Sequence, residues 1–222
     1  MSNLFSRIAI GCANWNKPYN GTQLSDKDID KVLGYMQCSG ISTLDMATAY
    51  GNDFDRPNSY FNKIIKVREG DDIEEIAKTE PYCMMAHDKE AKSIFTKHGV
   101  SFDAKIGMSI YDKNELPGSG VFEVIQLPYS LYDRRFEFYF GMLKSMGFEI
   151  HARSIFLRGW ILKDGIDPCE AIKFCLCNPY IDKVIIGIDS FEQLQRNLDF
   201  LHRWKNLERH DDELLDTRKW KD

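Results

Sequence analysis

Short apolar or β-branched runs alternate with helical or loop-like stretches along the whole chain. The runs that read as strands are Arg7 to Cys12, Ser42 to Met46, Lys63 to Val67, Tyr82 to Ala86, Ala104 to Ser109, Val121 to Leu127, Glu149 to Ile155 and Lys183 to Ile188. Most of them are near-continuous in apolar character rather than alternating, the pattern of parallel strands covered on both faces. Between them the helix signals are uneven. Ser25 caps a helix that carries Ile29, Val32, Leu33 and Met36 and closes near Gly40. The stretch from Arg134 to Met146 predicts a helix with Gly147 at its end. Asp167-Pro168 opens another that runs to Asn178-Pro179, and Ser190 caps Phe191 to Trp204, where Leu194, Leu198 and Leu201 fall at helical spacing. After Tyr50 and after Tyr111 there is room only for short helices.

Eight strands with eight crossovers predict a compact (β/α)8 TIM barrel with shortened helices and a short C-terminal substrate loop. One domain spanning 1–222 is expected, with 207–222 as a solvated tail. A doubly wound sheet would advertise a glycine-rich first turn, whereas Gly11-Cys12-Ala13-Asn14 holds a single glycine.

Composition narrows the function classes. The chain has 29 Lys+Arg against 34 Asp+Glu, a formal charge of −5, and no concentrated basic block. Nucleic acid and membrane surfaces are therefore not expected partners. Met-Ser-Asn-Leu-Phe-Ser-Arg-Ile is unlike a secretory signal, and a cytoplasmic protein is expected. The six cysteines read as reduced, and no metal-ligand spacing occurs, so no metal is expected.

In such a barrel the catalytic groups come from the C-terminal ends of different strands. The second strand ends Leu44-Asp45-Met46-Ala47, with Tyr50 in the loop beyond; the third ends Ile65-Lys66-Val67; the fourth ends Met85-Ala86-His87. Each alone has an ordinary explanation: Asp45 as a turn cap, Tyr50 as rim packing, His87 as the start of a helix. Lys66 resists one, since a lysine inside an apolar run needs a partner or an exit to water. Together they form a specific set. A tyrosine donates a proton poorly near neutral pH unless a cation stabilises its phenolate, which Lys66 would supply. Asp45 would keep the buried lysine charged, and His87 would hydrogen-bond a substrate oxygen.

These segments, with Lys105-Ile106-Gly107-Met108-Ser109 and Ile185-Ile186-Gly187-Ile188-Asp189-Ser190, resemble the aldo-keto reductase superfamily in order over nearly the whole chain. The resemblance implies a barrel that binds NADP(H) or NAD(H) in extended form and reduces a small carbonyl, an aldehyde or ketone of sugar-derived or other origin. It implies that Tyr50 is the general acid, that Lys66 and Asp45 tune it, and that His87 orients the carbonyl. Ser109 and Gln126 match positions that hold the nicotinamide carboxamide. Arg153, Ser154, Phe156, Leu157 and Gly159 match the segment that flanks the nicotinamide and pyrophosphate. Gly187, Ser190, Gln193 and Asn197 match the last strand-to-helix turn. Trp15 and Tyr19 are expected to wall the substrate pocket.

The sequence departs from the family in several places, among them a crossover of only 20 residues between Lys66 and His87 and a short C-terminal substrate loop. Ile110 stands where asparagine is usual, Arg153 where an aromatic commonly stacks, and Asp189 and Gln193 where NADPH-preferring relatives often carry lysine or arginine. Two function classes stay open: a reductase, and a catalytically weak barrel that binds the cofactor as a regulatory subunit. A barrel of the sugar-phosphate isomerase kind predicts a phosphate site and needs a carboxylate base, which the sequence does not place. Oligomeric state is not legible.

Overall fold

A computed structural model describes residues 4–19, 21–97, 103–118 and 120–214. Eight parallel strands close into a barrel in chain order. They are β1 (Ile8–Gly11), β2 (Thr43–Ala47), β3 (Asn62–Val67), β4 (Cys83–Ala86), β5 (Lys105–Ser109), β6 (Val124–Pro128), β7 (Glu149–Arg153) and β8 (Lys183–Gly187). All eight expected runs are strands. β6 starts later than its apolar run and β7 stops earlier, because Ser154 takes a left-handed φ of 57° that no strand continues through.

The helices are α1 (Asp26–Ser39), α2 (Ile73–Ala77), α3 (Lys92–Lys97), α4 (Phe140–Ser145), α5 (Trp160–Lys163), α6 (Pro168–Cys177) and α7 (Phe191–Leu214). Capping sets several of these ends. The Ser25 hydroxyl accepts from the Asp28 amide and Gly40 closes α1 with φ 77°. Asp167 caps α6 ahead of Pro168. The crossovers after β2 and β5 hold only the 3₁₀ turns Thr48–Tyr50 and Lys113–Glu115. α4 begins later than Arg134 because the Ser130 hydroxyl takes the Tyr132 and Asp133 amides and Arg135 clamps the Asp133 carboxylate. That local turn competes with the first helical turn. α7 runs past Trp204 to Leu214; the rest of the expected tail, 215–222, lies outside the described residues.

The strand faces toward the helices make the main core, with Ile8, Ile10, Leu44, Met46, Ile65 and Ile125 wholly buried. The inner face differs. Ile64, Cys83, Met85 and Val124 form a small apolar layer inside the barrel. Gly107 is required in it: a Cβ there would come 2.9 Å from Cys83 Sγ and from Met85 Cε. Above and below this layer the barrel interior is polar, with Asp45, Lys66, Gln126, His151 and Arg153 buried. Closure therefore stacks charged groups at the C-terminal mouth, where β2, β3, β6 and β7 end.

Candidate active site

β2 and β3 pair with Asp45 opposite Ile64 and Ala47 opposite Lys66, so the acid and the lysine point into the barrel one step apart. Lys66 Nζ donates to Asp45 Oδ2 at 2.7 Å, and the two side chains are only 4% and 6% exposed. Gln126 Nε2 donates to the other carboxylate oxygen at 2.9 Å. Burial works against the Lys66 charge, but Asp45 and Tyr50 hold its pKa above the ordinary lysine value. The site therefore keeps an ammonium.

Tyr50 ends the 3₁₀ turn after β2, which Gly51 closes with φ 67°. Asn52 locks that loop to the barrel: its Oδ1 accepts from the Ala47 amide at 3.1 Å and its Nδ2 donates to the Cys12 carbonyl at 3.1 Å. Lys66 Nζ lies 5.6 Å from the centre of the Tyr50 ring, and the His87 ring meets that ring edge-on at 5.9 Å between centroids. The Lys66 charge pulls the Tyr50 pKa down, while burial and Asp45 push it up, and the balance lies above the ordinary tyrosine value. The expectation that Lys66 alone would make the phenol more acidic is corrected: burial and then Asp45 together outweigh the field of the lysine. Tyr50 is accordingly a protonated phenol at neutral pH. Burial, then Lys66 and Arg68, lower the His87 pKa to about 4, so its imidazole is neutral. Its Nδ1 is buried with no protein partner.

Arg153, at the end of β7, is 8% exposed. Its hydrogen bonds all go to neutral oxygens: Nε to Ser109 Oγ at 3.3 Å, Nη1 to Ser154 Oγ at 3.1 Å and Nη2 to the Ile110 carbonyl at 2.7 Å. Ile110 thus serves through its backbone, its side chain being fully buried. One face of the guanidinium lies on the Tyr111 ring, 3.8 Å from the centroid. Tyr111 is fixed in turn by its amide, which donates to Glu115 Oε2 at 2.6 Å, and by its carbonyl, which accepts from Arg135.

Asp45, Tyr50, Lys66, His87, Ser109, Tyr111, Arg153 and Ser154 face one cavity of about 500 Å³, within the size range of small-molecule sites. Beyond β7 the loop that contributes to its wall holds four residues with left-handed backbone: Ser154, Leu157, Arg158 and Gly159 have φ of 57°, 48°, 56° and 82°. Arg158 and Lys163 face the cavity from this loop, and Asp189 and Gln193 face it from beyond β8. There the Thr22 hydroxyl donates to Asp189 Oδ1 at 3.0 Å and the Asp189 amide donates to Gln193 Oε1 at 2.6 Å.

The cavity therefore brings together Asp45, Tyr50, Lys66, His87, Ser109, Arg153, Ser154, Phe156, Gly159, Gly187, Gln193 and Tyr19 from the expected set. Five others are corrected. Trp15 is 3% exposed and packs in the core rather than walling the pocket. Gln126 lies below the floor, its amide nitrogen engaged by Asp45 and its Oε1 buried without a protein partner. Leu157 faces away, Ser190 turns its hydroxyl to accept from the Gln193 amide as a helix cap, and Asn197 is buried on the inner side of α7. Sequence reasoning missed Asn14, Tyr111, Arg158 and Lys163 as lining residues. Tyr111 alone carried a signal, standing two positions after Ser109 at the end of β5.

Among the described residues no helix is long and apolar enough to cross a membrane, and no cluster of His, Cys, Asp or Glu suited to a metal occurs. No protein-family model matches the sequence. No curated protein matches it in sequence. Solved structures do match in fold. An aldo-keto reductase of Bacillus halodurans in its holo form superposes with a TM-score of 0.64 at 18% identity, over 87% of this chain and 85% of that one. A Pseudomonas aeruginosa protein provisionally described as an aldo-keto reductase gives 0.64 at 15% identity, over 86% and 87%. A thermostable aldo-keto reductase in complex with the inhibitor epalrestat gives 0.57 at 16% identity, over 87% and 88%. The eight-stranded barrel of this chain is the fold of these aldo-keto reductases.

Proposed function

We propose that the chain is a nicotinamide-dependent oxidoreductase that reduces an aldehyde or ketone. The observation that carries this reading is the convergence of Tyr50, Lys66, Asp45 and His87 on one cavity at the C-terminal mouth of the barrel. The residues also fit the cofactor. Gly187 faces the cavity with open space where a side chain would intrude, Arg158 and Lys163 suit a pyrophosphate, and the Arg153 face offers a flat surface beside Tyr50.

A nicotinamide held by Arg153, Arg158, Lys163 and the Gly187 turn would supply the hydride for the carbonyl carbon. The chain does the rest. Tyr50 holds the proton that passes to the carbonyl oxygen as that oxygen gains charge, and Lys66 stabilises the phenolate left behind. Asp45 keeps Lys66 protonated and in place. His87, neutral by burial, offers a ring nitrogen to the same oxygen without competing for the proton.

The acidic turn at Asp189, with no lysine or arginine facing the cavity beside it, favours a ribose 2′-hydroxyl over a 2′-phosphate, and we infer a preference for NADH. The test is a fluorescence titration with NADH and NADPH on the wild type and on Tyr50→Phe, followed by turnover with an aldehyde panel. Both proteins are expected to bind equally, NADH more tightly, with turnover lowered about 10²–10⁴-fold by the substitution. Cofactor binding with no loss of turnover in Tyr50→Phe would remove Tyr50 from its role.

A further inference from the structure

Among the described residues Arg153 is a buried cation that forms no ion pair, the Asp45 charge acting on it only from a distance. Its three hydrogen bonds end on two serine hydroxyls and a backbone carbonyl. The Asp45 carboxylate at the same mouth is already engaged by Lys66 and Gln126. His87 adds no charge near neutral pH. Arg135, the cation on the far side of Tyr111, is held by Asp133. The formal sum at the floor of the cavity is thus one negative charge against two positive ones. A buried, uncompensated charge is costly, and one held rigidly by three hydrogen bonds and an aromatic plane is held for something that meets it.

Reaction geometry says what meets it. Hydride transfer needs donor and acceptor carbons about 3–3.5 Å apart, and the acceptor's oxygen must reach Tyr50. The nicotinamide ring belongs beside Tyr50, where the cavity wall is made by Ser109, Tyr111 and Arg153. Tyr111 covers one face of the guanidinium, and Arg153 itself lines the cavity. The reduced ring is neutral. Giving up a hydride, with its two electrons, leaves the ring with a full positive charge.

We infer that Arg153, backed by Tyr111, discriminates between the redox states of the cofactor, holding the reduced form and expelling the oxidised one. The inference rests on the reductase reading of this cavity. An aromatic side chain in this place would do the opposite, because a ring face attracts a cation. With Arg153 the like charges repel in a low-dielectric site, so oxidised cofactor leaves readily once the carbonyl is reduced. Tyr111 is a positioning residue: it fixes the guanidinium plane without meeting the reacting atoms.

The test is an equilibrium measurement that needs no turnover. Dissociation constants are determined for NADH by fluorescence and for NAD⁺ by calorimetry, and likewise for NADPH and NADP⁺, at pH 7. Within each pair the 2′ group is constant, so the ratio reports the ring. The wild type is expected to bind the reduced form at least tenfold more tightly, about 1.4 kcal/mol. Arg153→Gln is expected to bring the ratio close to one and Arg153→Tyr to invert it, while Arg153→Lys, which keeps the charge, retains part of it. Tyr111→Leu is expected to weaken binding of the reduced form and shrink the ratio. Equal affinity of the wild type for both forms overturns the inference, whatever the variants do, and leaves the reductase reading standing. Binding of neither form overturns the reductase reading and this inference with it. A change in Arg153→Gln confined to the KM of anionic carbonyl substrates, with the ratio unmoved, would assign Arg153 to substrate instead.

Discussion

The two ends of this barrel hold similar chemistry, but only the C-terminal set lines the cavity. At the N-terminal end, Glu149 accepts from Lys105 Nζ at 2.6 Å and Tyr82 at 2.6 Å through one oxygen, and meets His151 Nε2 at 2.8 Å with the other. Lys183 beside them donates to the Ser6 carbonyl and the Thr43 hydroxyl. The carboxylate there is fully engaged. At the C-terminal end, Asp45 satisfies Lys66, but Arg153 has only neutral acceptors and His87 Nδ1 has no protein partner. Among the described residues neither end is fully paired, since His151 Nδ1 also lacks a partner and Lys183 also has only neutral acceptors; what sets the C-terminal end apart is that its groups line the cavity. Perturbed charge alone does not separate the two, since Glu149 is as strongly perturbed as any group at the mouth.

The sharpest way to break the comparison is to remove one partner at each end. Lys66→Met strands the buried Asp45 carboxylate and is expected to cost about 3–5 kcal/mol, a fall in Tm on the order of 10 °C, together with the loss of turnover. Adding Asp45→Asn should restore much of the stability and none of the turnover. Thermal unfolding of the two variants checks this; an unchanged Tm in Lys66→Met would mean that Asp45 reaches water.

Glu149→Gln is expected to cost less, about 1–3 kcal/mol, because its surroundings are partly solvated, and to leave turnover and cofactor affinity unchanged. It should also alter the acid limb. Despite the penalty of burial, His151, Lys105 and Tyr82 hold the Glu149 pKa far below its ordinary 4.5. A carboxylate depressed in the folded state stabilises it above that ordinary value, and the contribution fades as pH falls below it. Urea unfolding between pH 6 and 3 should therefore be steeper for the wild type than for Glu149→Gln. Equal slopes would show that the cluster contributes nothing.

The smallest effect is expected at His87. Its folded pKa of about 4 lies below the ordinary 6.5, so the unfolded chain binds the extra proton first. Stability is complete above about pH 6.5 and declines as pH falls toward 4. His87→Leu should flatten this limb, and turnover of the wild type should show no histidine-dependent fall between pH 7 and 5. A loss of turnover centred near pH 6.5 would mean that His87 titrates as if exposed.

Much of this was legible in the chain because it is locally encoded. Apolar runs mark buried parallel strands, Ser25 with Gly40 and Asp167 with Pro168 mark helix ends, and a lysine or acid that interrupts such a run marks a strand end at the mouth. The blunt start of α4 was not legible, because a Ser130 turn and a helical turn draw on the same residues and packing chooses between them. The side-chain partners were not legible either. Nothing in the sequence says that Gln126 would reach Asp45 from 81 residues away rather than line the pocket. Nothing says that Trp15 would turn into the core, or that Arg153 would lie on Tyr111.

The sequence by itself determined the eight strands, their buried character and the identity of the ionisable groups at their ends, because hydrophobic period and capping act within a few residues of one another. Barrel closure decided which of those groups meet, which oxygens they use and which cation at the mouth has only neutral acceptors among the described residues. Those outcomes depend on register between strands and on the room inside the barrel, and neither exists until the strands have paired around the ring.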